Sequence, residues 1–206
     1  MTHEPGLLAA AILAGGRARR LGGANKAALA IGERRIIDRQ LALLRQVADP
    51  VLIVAPDDQM YRDVVEPARI VPDVLPGAGP LGGIYTALVS SPHDRMLIVA
   101  CDLPFLNLAL LQRLARPGTA DLVIPRTEAG YEPLCATWSV KAAEVVRQRI
   151  ARGQLKAAQV VDALSVEELG PEILASCDPD GLLFVNVNTP HDYQRAQELS
   201  RLKSAR

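Results

Sequence analysis

Short, almost wholly apolar runs alternate with amphipathic stretches along most of the chain. Runs at 7–14, 51–55, 69–71, 96–100 and 122–125 are rich in Val, Ile, Leu and Ala. They predict short β-strands, several of them covered on both faces of a sheet. Between them, Ile37, Leu41 and Leu44 fall at helical spacing, and 83–90 and 108–115 predict two further helices. Strand–helix alternation of this kind predicts an α/β fold with a mostly parallel sheet and right-handed crossovers.

Beyond Pro125 the pattern loosens. The stretch 132–138 predicts another strand, read as antiparallel, and 140–152 a helix that Gly153 ends. A final strand is expected at 182–187. Thr189-Pro190-His191-Asp192 then starts the last helix, with Thr189 as N-cap, Pro190 first in the helix and Asp192 in the first turn. No repeat or linker divides the 206 residues. A single domain over 1–206 is expected, its C-terminal third attached along one edge.

Composition narrows the function. Acidic and basic residues balance at zero net charge and only 3% of residues are aromatic. There is neither the basic field nor the stacking surface that nucleic-acid binding needs. Cys101, Cys135 and Cys177 are far apart and form no C-x-x-C pair, which suits reduced thiols used as small core residues. Residues 1–6 lack a secretory pattern, and no apolar stretch has the length of a membrane span. A cytoplasmic protein is expected.

The densest candidate chemistry follows the first strand. Leu13-Ala14-Gly15-Gly16 leads into Arg19-Arg20-Leu21-Gly22-Gly23 and then Lys26. Glycines let backbone N–H groups approach an anion, Arg20 offers a planar fork of donors and Lys26 a point charge. The loop reads as a phosphate site rather than a generous turn, while Arg17 and Arg19 need be no more than solvated charges. It is not a Walker A loop, because Ala27 follows Lys26 where a hydroxyl would be needed for magnesium.

A second cluster, Pro76-Gly77-Ala78-Gly79-Pro80-Leu81-Gly82-Gly83, contains a formal G-x-G-x-x-G. Gly77 does not directly follow its strand, and Pro80 removes a backbone N–H, so a dinucleotide fingerprint is rejected. A loop packed over a ligand is preferred to a purely structural turn. Asp102 ends the strand at 96–100 and would point into the crevice where α/β proteins bind ligands. It reads as a carboxylate for Mg2+ shared with substrate phosphates, or as a turn acceptor before Pro104. Asp73 closes another strand in the same way. Asn186 and Asn188 alternate along an extended segment, and read as ligand-recognising amides or as a turn and cap cluster.

Together these motifs resemble a known family. Leu13-Ala14-Gly15-Gly16-x-x-x-Arg20-Leu21-Gly22-x-x-Lys26 is similar to the opening loop of nucleotidyltransferases. With Gly79-Pro80-Leu81-Gly82-Gly83, Cys101-Asp102-Leu103-Pro104-Phe105 and Asn186-Val187-Asn188-Thr189-Pro190, it resembles the molybdenum cofactor guanylyltransferases. The resemblance implies a Rossmann-like three-layer sandwich, mostly parallel with an antiparallel strand. It implies transfer of GMP from GTP to molybdopterin, with release of pyrophosphate and Mg2+ as cofactor. Leu13, Ala14, Gly15, Gly16, Gly22, Lys26, Asp73 and Asp102 would bind GTP. Arg20, Lys26 and Asp102 would be catalytic, and Asp102 would hold the metal. Gly79, Gly82, Asn186 and Asn188 would lie on the molybdopterin side, dividing the chain into a nucleotide part (about 7–125) and an acceptor part (about 126–206). Proteins that mature molybdoenzymes are the candidate partners beyond the substrates.

The chain departs from the family pattern twice. Ala55-Pro56-Asp57 stands where an asparagine is frequent, and Glu132-Pro133 where His-Pro or Gln-Pro is frequent. The first bears on base selection, the second on the molybdopterin pocket. A cytidylyltransferase, a nucleotidyltransferase with another acceptor, and a nucleotide-binding module without catalysis are the alternative readings.

Overall fold

A computed structural model describes residues 8–15, 29–56, 61 and 68–204. The chain begins with β1 (Leu8–Leu13), a short ribbon of β2 (Ala30–Ile31) and β3 (Arg34–Arg35), and α1 (Ile36–Leu44). β4 (Val51–Ala55), β5 (Arg69–Pro72), α2 (Pro80–Val89), β6 (Arg95–Ala100) and α3 (Leu108–Leu114) follow. The second half carries β7 (Leu122–Thr127), β8 (Gly130–Tyr131), β9 (Cys135–Ser139) and α4 (Ala143–Ala151). It closes with β10 (Val166–Leu169), α5 (Pro171–Cys177) and α6 (Pro190–Ser204).

The main sheet has eight strands in the order β10-β7-β9-β6-β1-β4-β5, with β8 paired to β7. β1 is parallel to both β4 and β6, β4 to β5, and β7 to β10. β9 runs antiparallel between β6 and β7, as the sequence led us to expect of this stretch. Its strand starts only at Cys135, because Glu132-Pro133-Leu134 forms a turn closed by the Cys135 N–H to the Glu132 carbonyl, 3.0 Å.

The alternation of β1 sorts the core into layers. Ala10 and Ile12 face α1, α3 and α5 through Leu41, Leu110 and Leu174. Ala9 and Ala11 face α2 and α4 through Ile84 and Val146. A smaller cluster of Ile31, Ile36, Phe105, Val187 and Ala196 ties α6 and the ribbon to one side. The three cysteines are all buried, consistent with core thiols. Among the described residues, no helix is long and apolar enough to cross a membrane.

The expected strand at 182–187 is absent; its residues form turns and extended coil. Leu183 and Val187 are buried, which explains the apolar signal. Their backbone groups are met singly: Leu183 N–H by the Asp178 carboxylate (2.7 Å) and Val187 N–H by the Asp102 carbonyl (3.0 Å). The sheet edge is instead taken by β10, Val-Glu-Glu-Leu, too polar to read as a strand. The last helix starts as expected. Asp192 N–H donates to Thr189 Oγ1 (3.1 Å), and the Asp192 carboxylate accepts from the N–H groups of Asn188 and Thr189 at 3.0 and 2.8 Å. This reciprocal cap holds the Asp192 carboxyl below its ordinary pKa, chiefly through the Asn188 N–H.

Candidate functional site

The chain runs outward from β1 to β4 and β5, then returns to place β6 on the other side of β1. That reversal opens a crevice at the carboxyl ends of β1 and β6. A cavity of about 430 Å³ lies there, lined among others by Leu13, Gly15, Asp73, Gly79, Ala100 and Asp102. Gly16, Arg20, Gly22 and Lys26, expected at the triphosphate, lie outside the described residues, as do Arg17 and Arg19.

Leu13 and Gly15 reach the cavity, whereas Ala14 is buried and its carbonyl accepts the Tyr61 hydroxyl at 2.9 Å. Asp73 follows β5 and its Oδ1 accepts the Leu75 N–H (3.0 Å) and the Thr86 hydroxyl (3.0 Å). Thr86, fully buried on α2, also accepts the Val74 N–H at 3.1 Å. One oxygen of Asp73 is thus committed to holding the turn, and the residue borders the cavity.

Gly79 and Pro80 place the start of α2 on the cavity wall, so that the positive end of the helix dipole faces it. Gly79 has φ 61 and ψ −147, a conformation reserved for glycine. Gly82 is buried rather than lining; a Cβ there would meet the Leu75 carbonyl oxygen at 2.6 Å. Its absence of a side chain lets α2 pack on the Asp73 turn.

Asp102 follows β6 and is half-buried at the cavity. Its turn is gripped from two sides. The Val187 N–H reaches the Asp102 carbonyl, bringing the Asn186–Asn188 segment against it. Asn186 is exposed and lines a separate 240 Å³ cavity with Arg195, while Asn188 is half-buried. From α1, Gln40, 1% exposed, donates Nε2 hydrogens to the carbonyls of Ala100 (2.8 Å) and Leu103 (3.1 Å). Sequence reasoning missed Gln40; its signal was a polar residue within the Ile37–Leu41–Leu44 stripe.

Gln40→Leu keeps the volume but strands two carbonyls beside Asp102. It is expected to lower kcat by roughly 10–10² through misplacement of Asp102, with the substrate KM little changed. Steady-state kinetics check this, and an unchanged kcat contradicts it.

Among the described residues, no group of three or more His, Cys, Asp or Glu side chains is arranged to hold a metal. The residues fit another mode, in which Mg2+ is bound by one or two carboxylates together with substrate phosphates. Asp102 on the wall of the crevice of about 430 Å³ satisfies that requirement.

A 3-2-1-4 parallel core, with an antiparallel strand inserted beyond β6 and a carboxylate at the switch point, is the architecture of a nucleotidyltransferase. The MobA-like NTP transferase domain family matches residues 10–168, and the chain belongs to that family. A molybdenum cofactor guanylyltransferase from Desulfosudis oleivorans is 34% identical over 190 residues, covering 90% of this chain and 92% of that one. A probable molybdenum cofactor guanylyltransferase from Chloroflexus aggregans is 33% identical over 197 residues, covering 93% and 94%. The crystal structure of molybdopterin-guanine dinucleotide biosynthesis protein A from Archaeoglobus fulgidus superposes with a TM-score of 0.80 at 26% identity, covering 94% of this chain and 99% of that one.

Proposed function

We propose that this chain transfers GMP from GTP to molybdopterin, forming the guanine dinucleotide cofactor and releasing pyrophosphate. The observation that carries the reading is Asp102 at the end of β6, sharing one cavity with Asp73 and the start of α2. Nucleotide binding is assigned to the part about 7–125 and acceptor binding to about 126–206, in a cytoplasmic enzyme.

The terminal phosphate of the acceptor attacks the α-phosphorus of GTP; the bond to the β-phosphate oxygen breaks and pyrophosphate leaves. No side chain needs to act as nucleophile, so the chain contributes alignment and charge. Asp102 would hold Mg2+, which would supply neutralisation of the charge on the phosphates. Lys26 and Arg20 are assigned to the triphosphate with the backbone of Gly15, Gly16 and Gly22. The N-terminus of α2 adds its partial positive charge near the same crevice. Asp73 is assigned to the nucleoside, and Gly79, Asn186 and Asn188 to the acceptor side, which buried Gly82 serves only by letting α2 pack on the Asp73 turn. Pyrophosphate release that requires GTP, Mg2+ and molybdopterin together supports this reading; release that ignores molybdopterin overturns it.

A further inference from the structure

A cavity of about 260 Å³ lies between α1, α6 and the segment that continues from the Asp102 turn. Its walls are Arg39, Phe105, Leu106, Asn107, Ser200 and Lys203, none of which lines the nucleotide cavity. The frame is fixed by α6 packing across the β2–β3 ribbon. The Tyr193 hydroxyl and Gln197 Nε2 both donate to the Ala30 carbonyl, at 3.0 and 2.9 Å, and Gln197 Oε1 accepts the Gly32 N–H at 3.1 Å. Phe105 is buried with Ile31, Ile36 and Ala196. The Asn107 amide is committed within the fold: its Oδ1 accepts the Leu110 N–H at 3.0 Å and its Nδ2 donates to the Cys177 carbonyl at 2.8 Å.

The two cations on this wall lack an acidic partner. No Asp or Glu lines the cavity. Arg39 is half-buried and donates from Nη2 to the Ile31 carbonyl at 3.0 Å, yet among the described residues it forms no ion pair. Arg35, on the same stretch of chain, shows the contrast: it is bound to Asp38 at 2.6 Å. Burial first, and the like charge of Arg34 second, hold the Arg39 guanidinium below its ordinary pKa. Lys203 is exposed on the last turn of α6 and is also without an ion pair among the described residues. A cleft lined by one sign of charge against low-dielectric walls focuses its field and concentrates anions.

The shape and chemistry narrow the anion. The Arg39 fork meets two oxygens of one phosphoryl group, and the Lys203 ammonium adds a point charge from the facing helix. Two cations on separate helices suit a multiply charged anion better than a single carboxylate. At 260 Å³ the cavity is smaller than the about 300–1,000 Å³ of sites that enclose drug-sized ligands. Phe105 is only 5% exposed, so it offers no face on which a base could stack. A whole nucleotide is excluded on both counts.

We infer that this cavity binds a free phosphate-class anion, orthophosphate or pyrophosphate, between the Arg39 guanidinium and the Lys203 ammonium. The site is separate from the one assigned to GTP, and it holds whatever nucleotide and acceptor the chain uses. A bound anion ties α6 to α1 at the residue next to Gln40, which clamps the Asp102 turn from the same helix.

Calorimetric titration of the full chain without Mg2+ tests this, with orthophosphate and pyrophosphate in separate runs and potassium chloride at matched ionic strength as control. Arg39→Gln is expected to weaken binding about tenfold or more, the scale of hydrogen bonds to a charged group. Lys203→Ala, an exposed change that leaves the packing intact, should weaken it about two- to fivefold. Arg39→Lys keeps the charge without the fork and should recover only part of the Arg39→Gln loss. GTP affinity should be unchanged in all three variants. Tighter binding of pyrophosphate points to the reaction's product as the natural ligand, and tighter binding of orthophosphate to the free anion; either supports the site. No uptake beyond the chloride control overturns the inference. So does phosphate binding that is equal in wild type, Arg39→Gln and Lys203→Ala, or lost together with GTP binding. Failure of GMP transfer with this binding intact overturns the proposed function and leaves the anion site standing.

Discussion

Asp102→Ala is expected to lower kcat by about 10²–10³, the loss of roughly 3–4 kcal/mol that follows removal of one preorganised electrostatic contact. The carboxylate sits on the turn after β6, half-buried at the crevice, with its backbone clamped by Gln40 and Val187. Those clamps act through the carbonyls of Ala100, Asp102 and Leu103, so they survive loss of the side chain. Circular dichroism and the melting temperature should therefore stay close to wild type while pyrophosphate release collapses. Asp102→Asn keeps the shape without the charge and should fall nearly as far. Near-native kcat in either variant would remove Asp102 from the chemistry.

Trp138→Ala should produce the largest loss of stability, about 3–5 kcal/mol. Trp138 is fully buried on β9, directly across from Met96 on β6 and Leu122 on β7. No neighbour can swing in from either strand without breaking the ladder, so a cavity remains. For a domain of this size each kcal/mol moves Tm by about 2–4 °C, so a fall of roughly 6–20 °C is expected. The indole Nε1 also donates to the Pro133 carbonyl at 3.3 Å, a hydrogen bond that Trp138→Ala removes as well. A thermal melt within about two or three degrees of wild type contradicts this packing.

The sheet was legible where its strands are buried on both faces. β1, β4 and residues 96–100 of β6 present apolar runs of the length and Val/Ile/Leu/Ala content that suit covered parallel strands. β10 was not legible because an edge strand with Glu167 and Glu168 carries no such signal. The apolar 182–187 stretch misled for the opposite reason: Leu183 and Val187 are buried by packing against helices and turns, without a ladder. Asp102 and Asp73 stood out because each closes an apolar strand. Gln40 and Thr86 did not, since a polar residue inside an amphipathic helix reads as surface until the tertiary partners are seen. Glu132 was legible only through its place in a motif; the fold is what brings it near Asp102.

The most direct test of the proposed transfer supplies wild-type protein with molybdopterin, Mg2+ and equal GTP and CTP, and resolves the dinucleotide products by mass. A predominant guanine dinucleotide, formed with stoichiometric pyrophosphate, is the expected result, and would show that Ala55-Pro56 in place of the frequent asparagine is compatible with guanine selection. A predominant cytosine dinucleotide, or no dinucleotide from either nucleotide, would contradict it.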